Sequence, residues 1–255
     1  MKLEDSVFLI SGAGSGLGAA VAAMAVEAGA RAVLLDVNAD RGEALAAQLG
    51  DAARFILTDV ADPEDGERAV STAIDAFGRI DVLVNCAGVA PGEKIIGREG
   101  PHSLESFART VTINLVGTFN MLRLAANAMA KQQPAQTGER GVIVNTASVA
   151  AFEGQIGQAG YAASKGGVAA LTLPAARELA RHAIRVMAIA PGIFETPMMA
   201  GMPQDVQDAL GASVPFPPRL GRPSEYAALV RHIVENPMLN GEVIRLDGAL
   251  RMPPR

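Results

Sequence analysis

Short runs of β-branched and aliphatic residues alternate with Ala- and Leu-rich stretches along the whole chain. The runs fall at 7–11, 32–36, 54–57, 81–85, 141–146, 184–190 and 242–246, and their near-continuous apolar character is that of strands buried on both faces. Helical periodicity begins near Leu17, Asp40, Pro63, Leu104, Tyr161 and Ser224. A helix between successive strands carries the chain back to the edge it started from. The pattern therefore predicts an α/β fold: a doubly wound, seven-stranded parallel sheet with helices on both faces.

Three long connections interrupt this rhythm, at 89–103, 131–140 and 192–223. The first and third leave the carboxyl ends of strands, where open α/β sheets hold their ligands, and are expected to wall a site. The second lies at the opposite edge. Pro174 stands inside the helix that starts near Tyr161 and is expected to bend it, because it removes a backbone donor.

The 255 residues carry no linker-like or low-complexity tract, so we expect one domain over 1–255. Its cofactor half covers about 1–150, and a catalytic and substrate part covers about 141–255. Hydrophobic residues make up 49% of the chain and charged ones 19%, enough apolar surface for a packed core. A net charge of -5 argues against a nucleic-acid partner. Cys86 is the one cysteine, and His102, His182 and His232 are scattered, so neither a disulfide nor a metal site is expected. No apolar run reaches membrane length, and the first five residues lead directly into a strand, so we expect a cytoplasmic protein without a leader.

The first strand ends in Ser11-Gly12-Ala13-Gly14-Ser15-Gly16-Leu17-Gly18. Glycines at a strand-to-helix turn let a pyrophosphate approach the backbone, and the helix start offers amide donors and a positive dipole end. The alternative is a ligand-free turn. The second strand ends at Asp36, about 20 residues past the glycines, where a carboxylate can hold the two hydroxyls of an adenosine ribose. A 2′-phosphate would meet a like charge there, and the neighbouring positions Ala13, Ser15, Val37 and Asn38 supply no cation, so NAD is expected over NADP. Arg41 is expected on the solvent face of the next helix. Asp36 as a plain helix cap is the competing reading. Asp59 and Val60 after strand three, and Cys86, Ala87 and Gly88 after strand four, are expected against the adenine and the cofactor backbone.

Tyr161 and Lys165 are four residues apart and share a helix face. A phenol titrates near about 10, and a neighbouring ammonium and an oxidised nicotinamide are both expected to lower that value so that Tyr161 exchanges a proton with substrate. Ser148, just past strand five, can orient the reacting oxygen, and Asn114 can hold a water that links Lys165 to solvent.

Together these residues resemble the short-chain dehydrogenase/reductase family in order and spacing over nearly the whole chain. The family's pattern is Thr-Gly-x-x-x-Gly-x-Gly, Asn-Asn-Ala-Gly, a serine and Tyr-x-x-x-Lys. Ser11 and Cys86 depart from it, and the second departure puts a structural hydrogen bond in doubt. The resemblance implies a Rossmann-type fold and NAD-linked oxidation of a secondary alcohol. It also implies a nicotinamide-side loop from Pro191 and Gly192 to Phe194 and Thr196, and a homotetramer built through the long helices after strands four and five. The runs 141–155, 214–221 and 236–248 are similar to the 3-hydroxyacyl-CoA dehydrogenase branch. That likeness implies short or 2-methyl-branched (S)-3-hydroxyacyl-CoA substrates, with steroids as a further class, and places Gln155 in the substrate pocket. Methionines in 194–202 either cover acyl chains or fill core gaps. Lys94, Arg98 and Arg219 either meet CoA phosphates or are solvated. The rival readings are a 3-oxoacyl carrier-protein reductase, a general alcohol dehydrogenase, and an NAD-bound scaffold.

Overall fold

A computed structural model of the chain describes residues 1–98, 100–201 and 203–254. Seven strands form one sheet: β1 Val7–Ser11, β2 Arg31–Asp36, β3 Ala53–Leu57, β4 Val82–Asn85, β5 Gly141–Thr146, β6 Ile184–Pro191 and β7 Val243–Leu246. Their order is β3-β2-β1-β4-β5-β6-β7, and every pairing is parallel. Each expected strand is present within one residue at either end.

The helices are α1 Gly16–Glu27, α2 Ala39–Leu49, α3 Pro63–Phe77, α4 Leu104–Val111, α5 Gly117–Lys131, α6 Ala159–Leu179, α7 Pro197–Ala200, α8 Gln204–Ala212 and α9 Pro223–Glu235. The expectation of an unstructured connection at 192–223 is corrected, because α7 and α8 lie within it. Helix α6 starts two residues before Tyr161 and runs through Pro174 to Leu179. A five-residue π-helical segment, Thr112–Val116, joins α4 to α5. Among the described residues, no helix is long and apolar enough to cross a membrane.

Side chains alternate across the pleat, and both faces are buried. Phe8 and Ile10 of β1 join a core with α1 and α9, while Val7 and Leu9 join one with α3, α5 and α6. This double burial explains why the strands read as continuous apolar runs rather than as alternation.

The order reverses at β1, which pairs with β2 on one side and β4 on the other, so the loops after β1 and β4 diverge and leave a crevice. Glycines let the backbone close up beneath it. A Cβ on Gly18 would stand 2.3 Å from the Gly12 carbonyl oxygen, and one on Gly12 would stand 2.7 Å from the Ala87 nitrogen, where the backbone also has φ +64°. Only glycine fits either place.

Candidate active site

A cleft of about 880 Å3 opens at the carboxyl edge of the sheet. Its lining includes every cofactor residue expected from the sequence: Gly12, Ser15, Gly16, Leu17, Gly18, Asp36, Asp59, Val60, Cys86, Ala87, Gly88, Tyr161, Lys165, Pro191, Gly192, Phe194 and Thr196. Ser148 and Gln155 line it too, whereas Asn114 is fully buried behind Gly88.

The adenosine end is built from β1, α1 and β2. Ser15 precedes α1 without capping it through its side chain, and the first turn holds no acid. The amides of that turn thus face the cleft as an uncompensated positive end, suited to a pyrophosphate. One Asp36 oxygen accepts from the Gly14 amide at 2.9 Å and the other from the Asn38 amide at 2.9 Å. Asn38, not Asp36, caps α2, accepting from the Arg41 amide. Arg41 is exposed and is not among the residues lining the cleft. The crevice therefore fits a nicotinamide dinucleotide.

Cys86 Sγ donates weakly to the Tyr226 hydroxyl at 3.8 Å and lies 3.7 Å from Thr146 Oγ1, whose proton goes to the Asn85 carbonyl. Burial pushes its thiol pKa up, so it is protonated and packs as a small apolar group. The Ser11 hydroxyl stands 3.4 Å from Asn85 Oδ1 and accepts from the Ala87 amide at 3.3 Å. The two departures from the family pattern thus keep their local bonding by other means.

At the other end, Ser148 follows β5 and Tyr161 occupies the first turn of α6. Both side chains line the cleft, and the Ser148 hydroxyl is near enough to the phenol to favour its charged form. Lys165 stands one turn further on, buried, with Nζ donating to the Thr146 carbonyl at 2.6 Å and lying 6.0 Å from the Tyr161 ring centre. Thr146 was not foreseen as a positioning residue, although its place at the end of β5 marks it as near the site.

The expectation of an acidified phenol needs correction for the protein alone. Burial raises the Tyr161 pKa above its ordinary value, and the neighbouring Ser148 hydroxyl offsets this only in part. Desolvation lowers Lys165 to about 8. The acidified phenol is therefore not a property of the protein by itself, because the same apolar surroundings penalise phenolate and ammonium alike. Asn114 has contacts beyond the one expected of it. Its Nδ2 donates to the Val89 carbonyl at 2.8 Å and to Ser164 Oγ at 3.0 Å, while Oδ1 accepts from the Val89 amide at 2.8 Å. The amide clamps the loop after β4, leaving one Oδ1 lone pair for a water.

Arg219 is corrected as a phosphate contact, since its guanidinium is paired with Glu225 at 2.6 Å and away from the main cleft. Lys94 and Arg98 are exposed in the loop after β4 and do not line the cleft. Of the methionines in 194–202, Met199 lines the cleft and Met202 lies outside the described residues. Arg109, Gln158 and Met252 line it without having been singled out in the sequence. Among the described residues no group of three or more His, Cys, Asp or Glu could hold a metal ion.

An amide-rich helix start facing an acid at the end of β2, with a hydroxyl pair and a lysine across the same crevice, defines a dinucleotide-dependent oxidoreductase. A family model for short chain dehydrogenases matches residues 6–207. The chain belongs to that family. It is 54% identical over 255 residues to the 3-hydroxyacyl-CoA dehydrogenase type-2 of Homo sapiens, covering 99% of this chain and 98% of that one. Among solved structures, the 3-hydroxyacyl-CoA dehydrogenase type-2 of Mycobacterium avium matches with a TM-score of 0.91 and 40% identity, covering 98% of this chain and 97% of that one. A 3-ketoacyl-(acyl-carrier-protein) reductase of Brucella melitensis complexed with NADH matches with a TM-score of 0.88 and 32% identity, over 98% and 100% of the two chains.

Proposed function

We propose that this chain oxidises (S)-3-hydroxyacyl-CoA to 3-oxoacyl-CoA with NAD, and catalyses the reverse reduction with NADH. The observation that carries the reading is that Ser148, Tyr161 and the buried Lys165 line the same cleft as the glycine turn and Asp36. The full-length similarity to 3-hydroxyacyl-CoA dehydrogenases type-2 supports the substrate class.

Nicotinamide, when bound, supplies the hydride acceptor or donor and, in its oxidised form, a positive charge. The residues of the chain do the rest. Ser148 donates a hydrogen bond to the substrate oxygen and turns it toward Tyr161. Tyr161 takes the hydroxyl proton during oxidation and returns it during reduction, as a positioned acid and base. Lys165 sets an ammonium near the phenol and favours its charged form at the moment the proton moves. Asn114 holds Val89, and with it the loop that walls the site.

Asp36 supports the preference for NAD, because its carboxylate would oppose a 2′-phosphate across a distance spanned by one hydrogen bond. The test is an assay of a 3-hydroxyacyl-CoA panel with NAD and NADP. We expect a kcat/KM at least about tenfold higher with NAD, and a ratio that shrinks toward unity in Asp36→Ser, since a like-charge contact of this kind is worth about 1–3 kcal/mol. A wild-type preference for NADP would end the assignment. The same reading includes a homotetramer joined through α5 and α6, supported by Val116, Phe119 and Leu173, which stand exposed on that face. A monomer by light scattering would refute it.

A further inference from the structure

The chain beyond β7 does not trail into solvent. Gly248 and Ala249 both take left-handed backbone conformations, with φ +59° and +67°. For alanine that turn is costly, so something must hold it. Asp247 does so, accepting from the Ala249 amide through Oδ1 at 3.0 Å and from the Leu250 amide through its carbonyl at 3.0 Å.

Residues 250–254 then lie along the loop that follows Ser148. Glu153 is the centre of the attachment. It pairs with Arg245 at 2.9 Å and Arg251 at 3.3 Å, and it accepts from the Met252 amide at 3.0 Å. Arg245 also bonds Asp247 at 2.7 Å and donates to the Leu250 carbonyl at 3.0 Å. Further along, the Pro253 carbonyl accepts from Gln155 Nε2 at 3.0 Å and the Pro254 carbonyl from the Ile156 amide at 3.1 Å. The arginines hold the Glu153 carboxyl below its ordinary pKa, consistent with an ion pair that persists at neutral pH.

The consequence is where this strap puts Met252. Met252 lines the same cleft as Ser148, Gln155 and Tyr161, one residue from the carbonyl that Gln155 grips. We propose that Met252 is a specificity-determining residue, forming the end wall of the substrate pocket against the acyl chain, and that Glu153 is the positioning residue that keeps that wall in place. A thioether is apolar and flexible, suited to an aliphatic tail. A wall fixed by a charge cluster gives the pocket a definite depth, and one methylene too many in an apolar pocket is worth about 10–200-fold in discrimination.

The proposal rests on the hydroxyacyl-CoA reading only in the choice of tail. The experiment measures kcat and KM for 3-hydroxybutanoyl-CoA and 3-hydroxyoctanoyl-CoA, and for plain 2-alkanols of the same two lengths, in wild type, Met252→Ala, Met252→Trp and Glu153→Gln, with NADH affinity measured alongside. We expect Met252→Trp to raise the KM of the longer substrate about tenfold or more, with the shorter substrate changed less than about threefold. We expect Met252→Ala to shift the balance toward the longer one, and Glu153→Gln to blunt discrimination between lengths. NADH affinity should stay within about twofold throughout. Equal effects on both lengths, or none, with NADH binding intact, would overturn the proposal. A wild-type enzyme inert on both CoA esters but active on the alkanols would refute the CoA reading instead, and the same length comparison on the alkanols would then decide the strap.

Discussion

Tyr161→Phe should lower kcat for alcohol oxidation by about 10²–10⁴-fold and leave NADH affinity within about threefold of wild type. The substitution removes one oxygen and almost no volume. It leaves α6, whose first turn carries the residue, and Lys165 one turn on, without a packing change. What is lost is the group that exchanges a proton with the substrate oxygen, together with its interaction with the Ser148 hydroxyl. Ser148 remains, but its hydroxyl also accepts from the Ala150 amide at 3.1 Å and stands just past the strand end, so it orients the substrate rather than carrying its proton. Cofactor fluorescence titration and steady-state rates separate the two effects. A variant that retains turnover would show that the proton leaves by another route, and one that loses NADH binding would show that the phenol's contact with the cofactor, not proton exchange, accounts for the lost rate. Because burial raises the phenol's pKa above its ordinary value, oxidation in the wild type should accelerate as pH rises, whereas reduction, which needs the protonated phenol, should hold steady through neutrality and fall only in the alkaline range.

The parts of this fold that were legible in the sequence are those fixed by local pattern. A strand buried on both faces has to be apolar along its length, and a glycine-rich turn has to precede α1 if the backbone is to pass Gly12 at van der Waals distance, so β1 to β7 and the crevice could be read directly. The π segment around Asn114 could not. A shift of backbone pairing from four residues to five leaves no mark on periodicity, and Thr112–Val116 has the composition of ordinary helix. Helices α7 and α8 were hidden by Pro197, Gly201 and Pro203, which punctuate the stretch and read as loop.

Long-range polar pairings were also out of reach. Arg185 is buried in β6 and bonds Glu139 at 2.7 Å together with the carbonyls of Ile233, Val234 and Leu239. In the sequence it is one cation in an apolar run, and only the fold brings its acceptors near. Arg245 and Glu153, 92 residues apart, are the same case, which is why the strap carrying Met252 went unseen while Gln155 beside it did not.

Lys165→Met should abolish most activity and yet make the protein more stable at pH 7. The ammonium is buried, and desolvation brings its pKa from 10.5 to about 8. Each tenfold change in proton affinity is worth about 1.4 kcal/mol, so holding this charge in the fold costs about 3 kcal/mol wherever it is protonated in both states. Its one protein hydrogen bond, to the Thr146 carbonyl, returns about 1 kcal/mol. Methionine fills similar volume without the charge, so the net gain is about 2 kcal/mol, or a Tm higher by about 4–8 °C for a chain of this size. The sign follows from proton counting. Between about pH 8 and 10.5 the unfolded chain binds more protons at this site than the folded one does, so wild-type stability climbs with pH across that window while the variant gains nothing there. The difference in Tm should therefore be full at pH 7 and should narrow by pH 10, with turnover down about 10²-fold or more at every pH. A variant less stable than wild type at pH 7 would mean that the lysine's contacts outweigh its desolvation. A Tm gap that does not change with pH would mean that the gain comes from packing rather than from removing a buried charge.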